Sequence, residues 1–279
     1  MTKTLGIVTT KFGRVSGVPA DGPEYEGITV FKGIPFAAPP VGALRWKPPV
    51  DPEPWEGVRA CDTFAPMACQ NMGSGLSFEP WGTDFYYMGT PDTSEDCLYL
   101  NVFTGAREPG EKRPVYMWFH GGGLSTGYSW EIEFDGSELA KRGIVVVQVA
   151  QRLNVFGYLC CRQLSEEQGG KSGNYGLMDE VKALDWVYEN IEAFGGDPEN
   201  ITIGGQSGGT SKTGALASSP YQKGRVKRVI NQSSLNWDRK YPTIAEAEES
   251  AAKYFAAIGL DPDMSIEELR NVPASALLK

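Results

Sequence analysis

The stretch Gly205-Gln206-Ser207-Gly208-Gly209 lies between the apolar run Asn200-Ile201-Thr202-Ile203-Gly204 and the helix-forming run from Thr210 to Ala217. A serine set between glycines in a strand–turn–helix passage is the form of a nucleophile elbow. The chain there reverses so sharply that the hydroxyl stands at the tip of a strained turn. No other feature constrains the fold as much, because it demands a strand end and a helix start on either side of one residue. Glycine is needed at 205 and 209, since a Cβ two residues from the serine runs into the neighbouring strand or helix. The helix start also points its free N–H groups and positive dipole end toward the serine oxygen.

A five-residue motif is weak evidence in a chain with 34 glycines among 279 residues. A second glycine run supports it. His120-Gly121-Gly122-Gly123 follows Pro114-Val115-Tyr116-Met117-Trp118-Phe119, a strand pattern. Open α/β sheets build their sites in glycine-rich loops at the carboxyl ends of strands. Together the two motifs imply acyl transfer through Ser207, with the N–H groups of Gly122, Gly123 and Gly208 forming an oxyanion hole. The serine proton needs an acceptor. His120 is the only histidine, and it sits in the glycine loop, where a structural role is the expectation. No Asp or Glu stands out as its orienting partner. The catalytic histidine and acid are therefore expected outside this chain.

From residue 98 strands and helices alternate. Strands are expected at 98–103, 114–119, 144–149, 200–204 and 226–231. Ile144-Val145-Val146-Val147 has the unbroken apolar character of a buried parallel strand. Leu177, Val181, Leu184, Tyr188, Ile191 and Phe194 fall on one face of a helix, which Gly195 and Pro198 end. Residues 243–259 suggest another helix. This alternation implies a mostly parallel sheet with helices on both faces. Residues 1–60 suggest short antiparallel strands. Residues 61–95 read as a long loop whose aromatic group (Phe78, Trp81, Phe85, Tyr86, Tyr87) either lines a substrate gorge or packs the loop itself.

A net charge of −9 argues against nucleic acid or an anionic membrane as partner. Arg225, Lys227 and Arg228 form a small cluster expected on a solvated strand edge. No run has the length of a membrane span, and Met1 to Gly6 lacks an apolar signal core, so a cytoplasmic protein is expected, with secretion the alternative. One histidine and no Cys-x-x-Cys leave too few ligands for a metal site, and no cofactor is implied.

The matching stretches run nearly end to end. Phe31-Lys32-Gly33-Ile34-Pro35-Phe36-Ala37-Ala38-Pro39-Pro40-Val41-Gly42, Leu44-Arg45-Trp46-Lys47-Pro48-Pro49, Ser94-Glu95-Asp96-Cys97-Leu98-Tyr99-Leu100-Asn101-Val102 and Phe194-Gly195-Gly196-Asp197-Pro198-Glu199-Asn200 all resemble signatures of the type-B carboxylesterases, a branch of the α/β-hydrolases. The resemblance covers the N-terminal half of such a protein. It implies an α/β-hydrolase fold whose last strands are missing from this chain, with residues 1–279 as the N-terminal part of one catalytic domain and 61–95 as its substrate-side loop. It implies a serine carboxylesterase, inactive alone, whose substrate is a small ester and whose partner is a complementing C-terminal half or second chain. An inactive binding or adhesion module on the same fold is the alternative. A self-sufficient hydrolase using His120 as base is a third reading.

The family usually has glutamate before the nucleophile and alanine after it; here they are Gln206 and Gly208. Ser233 matches a serine that sits beside the triad in relatives. Arg45 with Glu95, and Arg152 with Asp179, match buried ion pairs, which predicts charged groups within about 4 Å of each other. Cys69 and Cys97 match a loop disulfide of secreted relatives, but without a signal core free thiols are expected.

Overall fold

The structure is a computed structural model that describes residues 4–71, 92–234 and 240–279. The aromatic group at residues 78–87 lies outside the described residues. The described strands are β1 (Ile7–Thr10), β2 (Gly13–Ser16), β3 (Val18–Pro19), β4 (Thr29–Pro35), β5 (Val58–Ala60), β6 (Met67–Ala68), β7 (Thr93–Ser94), β8 (Tyr99–Thr104), β9 (Arg113–Phe119), β10 (Val145–Val149), β11 (Gly196–Gln206) and β12 (Val226–Gln232). Seven of them form one sheet in the order β12-β11-β9-β10-β8-β4-β3. The pairs among β12, β11, β9 and β10 are parallel. Those among β10, β8, β4 and β3 are antiparallel. β1 and β2 form an antiparallel hairpin, and β5 pairs with β2 in parallel. The sheet thus has a parallel half, which carries both motifs, and an antiparallel half built mostly from the N-terminal segment.

Register explains the core. Phe31, Val102, Val147, Met117 and Ile203 stand side by side across five strands, and all are fully buried. Burying each such side chain contributes about 1.5–3 kcal/mol. The row continues to Val229 on β12, which is 41% exposed. Among the described residues β12 is one edge of the sheet, with β3 the other, and Val229 and Ile230 are exposed on it. The basic cluster lies along it. Arg225 pairs with Asp185, Lys227 sits 3.6 Å from Glu199, and Arg228 donates to Asn200 at 2.8 Å. β10 is buried along its whole length, and its one polar residue, Gln148, accepts from the Asn101 amide at 3.1 Å and donates to the Phe134 carbonyl at 2.8 Å. Val145, Val147 and Val149 lie in the main core, which also takes Ala183, Leu184 and Val187 of the long helix Tyr175–Asn190, while Val146 belongs to a second cluster with Ile28, Phe103 and Ala140.

The long helix corrects the sequence reading in one respect. Leu184, Ile191 and Phe194 are buried as expected, but Leu177, Val181 and Tyr188 are only partly so. The buried face instead includes Asp179, Glu180, Ala183 and Val187. Apolar periodicity misplaces the face because two of its buried members are carboxylates. The last turn, Ile191–Phe194, tightens to a 3-10 helix and ends at Gly195 with φ 82°. Residues 61–95 are not wholly loop either, since β6 and β7 pair in parallel at its ends.

Helix Ile244–Ala257 opens with a capping box. Thr243 accepts from the Glu246 N–H, and Glu246 accepts in return from Thr243. Such reciprocal bonds satisfy donors that a helix start otherwise leaves open. Its buried Ala251 and Phe255 pack on Trp46, Phe156, Leu164 and Tyr175, a separate cluster beside the main core. Among the described residues no helix is long and apolar enough to cross a membrane.

Candidate active site

β9 and β11 are parallel neighbours, with Gly205 beside Phe119. Their carboxyl ends therefore deliver Ser207 and the glycine loop to the same point. Ser207 has φ 54° and ψ −116°, a conformation that L-residues rarely adopt. It is exposed, and its side chain does not cap the helix Gly208–Ser218 that starts behind it. Backbone contacts hold the strain. The Ser207 N–H donates to the Gln232 carbonyl at 2.9 Å, and the Ser207 carbonyl accepts from the Thr210 N–H at 3.0 Å and from Thr210 Oγ1 at 2.7 Å.

Sterics fix the flanking residues. A Cβ on Gly205 would meet the backbone of Gly209, and one on Gly209 would collide with the Phe119 carbonyl oxygen. A Cβ on Gly208 would collide with the nitrogen, Cα and oxygen of Gly123. The glycine loop thus lies directly on the elbow, closer than an alanine at 208 would allow. Among the described residues, the N–H groups of Gly122 and Gly123 donate to no backbone carbonyl. Gln206 Oε1 lies 3.0 Å from where a Cβ on Gly121 would stand. Ser233, one residue past the carbonyl that holds Ser207, has φ 65° and is exposed. Two open grooves flank the loop. One of about 560 Å³ is lined by Ser125, Thr126 and Asn154, and one of about 420 Å³ by Leu124, Thr210 and Asn231.

His120 points the other way. It is 1% exposed. Its Nδ1 lies 2.9 Å from the Gly121 carbonyl oxygen. The Gln151 amide, oriented to suit its neighbours, places its oxygen 2.8 Å from His120 Nε2 and 2.6 Å from Lys212 Nζ. Burial and then the Lys212 charge hold the His120 imidazole well below its ordinary pKa. A ring so enclosed does not serve a solvent-facing hydroxyl, which argues against the reading that makes it the base.

Beneath the loop lies a set of buried charges that the sequence reading missed. Lys212, on the elbow helix, is fully buried, and its Nζ donates to the His120 carbonyl at 2.9 Å. Glu131 and Glu180 act on it electrostatically. Burial pushes Lys212 down to about 8, Glu180 up to about 8 and Glu131 up to about 7. Glu131 accepts from the Tyr128 N–H at 3.1 Å, but neither Glu180 oxygen has a hydrogen-bond partner among the described residues. No local pattern marks these three residues, because polar side chains far apart in sequence read as surface.

Both expected ion pairs are present. Arg45 Nε donates to Glu95 at 2.7 Å, and the two charged groups form a bidentate pair. Arg152 binds Asp179 through Nε at 2.9 Å and Nη2 at 2.7 Å, and also through its backbone N–H at 3.0 Å. All five cysteines are free thiols, and no cluster of metal ligands occurs among the described residues.

Residues 5–279 match the model of the carboxylesterase family. The chain belongs to the carboxylesterase family. Among its curated relatives, fumonisin B1 esterase of Sphingopyxis macrogoltabida is 39% identical over 97% of this chain and 46% of its own length. Para-nitrobenzyl esterase of Bacillus subtilis is 38% identical over 99% of this chain and 52% of its own. A solved carboxylesterase structure from Geobacillus stearothermophilus superposes with a TM-score of 0.82 at 37% identity, over 98% of this chain and 53% of that one. The carboxylesterase-family chain thus spans about half the length of the relatives it matches, and its fold is that of the α/β-hydrolases.

Proposed function

We propose that this chain forms the nucleophile half of a serine carboxylesterase. Ser207 Oγ attacks the ester carbonyl, and the alcohol leaves. The acyl group stays on the serine until water releases it as the acid. The N–H groups of Gly122, Gly123 and Gly208 receive the negative oxygen that develops at each step, each such donor being worth about 3–4 kcal/mol of barrier. One observation carries this reading: an exposed serine at φ 54° packed against a glycine loop that leaves no room for a Cβ at residue 208. Kinship with proteins named as esterases supports the same chemistry.

The base and its acid come from a segment outside these residues, a complementing C-terminal half or a second chain, since the one histidine is sequestered under the loop. The substrate is a small carboxylic ester. Hydrolysis of 4-nitrophenyl acetate by the chain alone and with its complementing segment tests the reading. Turnover is expected only with both present. Full turnover by the chain alone sinks the division of labour, and no turnover by either leaves the esterase reading without support.

A further inference from the structure

Lys212 is the fifth residue of the elbow helix, less than two turns from Ser207. A lysine is almost never fully buried unless something holds its charge. Here the acceptors are the His120 carbonyl at 2.9 Å and the Gln151 amide oxygen at 2.6 Å. His120 is the residue from which the glycine loop departs. Its peptide link to Gly121 is planar and trans, so a carbonyl held inward turns the Gly121 N–H away from the core. The same helix packs its first turn on that backbone, where a Cβ on Gly209 would meet the oxygens of Phe119 and His120. One side chain therefore joins the helix behind the nucleophile to the root of the loop in front of it.

We propose that Lys212 is a positioning residue: its buried ammonium ties the glycine loop to the elbow helix and holds the loop's N–H groups in place, most firmly while it carries its charge. The proposal rests on the esterase reading of Ser207 and deepens it. The charged and titratable groups that face Lys212 are His120 from the loop, Glu131 from the segment after it and Glu180 from the long helix. Asp179 raises Glu180 further, and Arg152 in turn pairs with Asp179. Burial brings Lys212 down to about 8. The ammonium thus predominates at neutral pH and is lost as pH rises through about 8. Turnover should decline over the same window.

The test uses the complemented esterase with 4-nitrophenyl acetate as substrate and an organophosphonate as probe. The variants are Lys212→Met and the double variant Lys212→Met with Glu180→Gln, which leaves one fewer carboxyl without its cation. In either folded variant kcat should fall roughly 10- to 100-fold with KM nearly unchanged, the signature of an interaction made in the transition state. The decline above about pH 8 should also vanish. A folded variant with unaltered kcat and an unaltered alkaline decline overturns the proposal. The unsubstituted enzyme decides independently: kcat that stays flat from about pH 7 to about pH 10 overturns it as well. Failure of the probe to label Ser207 in the unsubstituted enzyme is a different result, which removes the nucleophile reading itself.

Discussion

The two sides of the glycine loop obey opposite rules. On the outer side Ser207 is exposed and the elbow lies against the backbone of the glycine loop. On the inner side His120, Lys212, Glu131 and Glu180 are buried, and the groups on offer are titratable side chains. The outer side is built by close backbone packing. Its residues are small because backbone must touch backbone, and it tolerates strain at one residue. The inner side depends on charge balance at low dielectric, where a removed partner leaves an uncompensated ion. A site assembled this way has its recognisable parts in front and its support behind.

Ser207→Ala should give the largest change. It leaves the inner side intact and should cut turnover by several orders of magnitude, approaching about 10⁶-fold if Ser207 is the nucleophile. Steady-state hydrolysis measures this, and a modest loss would mean that the outer side is not the reacting side. Arg152→Met should come next. It strands the fully buried Asp179 and should destabilise by about 3–5 kcal/mol in urea unfolding.

The gap between such effects and what a sequence displays is instructive. The elbow and the loop were legible because sterics place glycine at fixed offsets from a serine, and offsets survive in one dimension. β10 was legible because a strand covered on both faces is mostly apolar, and only Gln148 interrupts its valines. The start of β11 was not, since Gly196-Asp197-Pro198 joins the sheet through a single pairing of Gly196 with Arg113 before an irregularity. The Arg152–Asp179 pair was anticipated through resemblance. The Lys212 set was not, because Glu131, Glu180 and Lys212 meet only after folding. The same blindness misplaced the buried face of the long helix, where Glu180 holds a position that periodicity assigns to solvent.

Glu180→Gln sharpens the comparison from below. Burial raises Glu180 from 4.5 to about 8, so the folded chain keeps a proton that the unfolded chain releases. That contribution is complete below pH 4.5 and is lost as pH rises to about 8. The substitution should therefore flatten the fall in stability across that window, by up to about 1.4 kcal/mol per pH unit. Unfolding midpoints at several pH values check it, and an unchanged slope would mean that Glu180 is not held protonated. Ser207→Gly should give the smallest change, a gain of about 1 kcal/mol in stability, because glycine adopts φ 54° freely. A loss would mean that the serine makes contacts beyond its strained backbone.

Organophosphonate labelling mapped by peptide mass spectrometry tests the central claim most directly. The claim predicts modification of Ser207 when the complementing segment is present and none in the chain alone. Modification of the isolated chain that disappears in His120→Gln would contradict it, as would an unmodified Ser207 in a complemented preparation that hydrolyses esters.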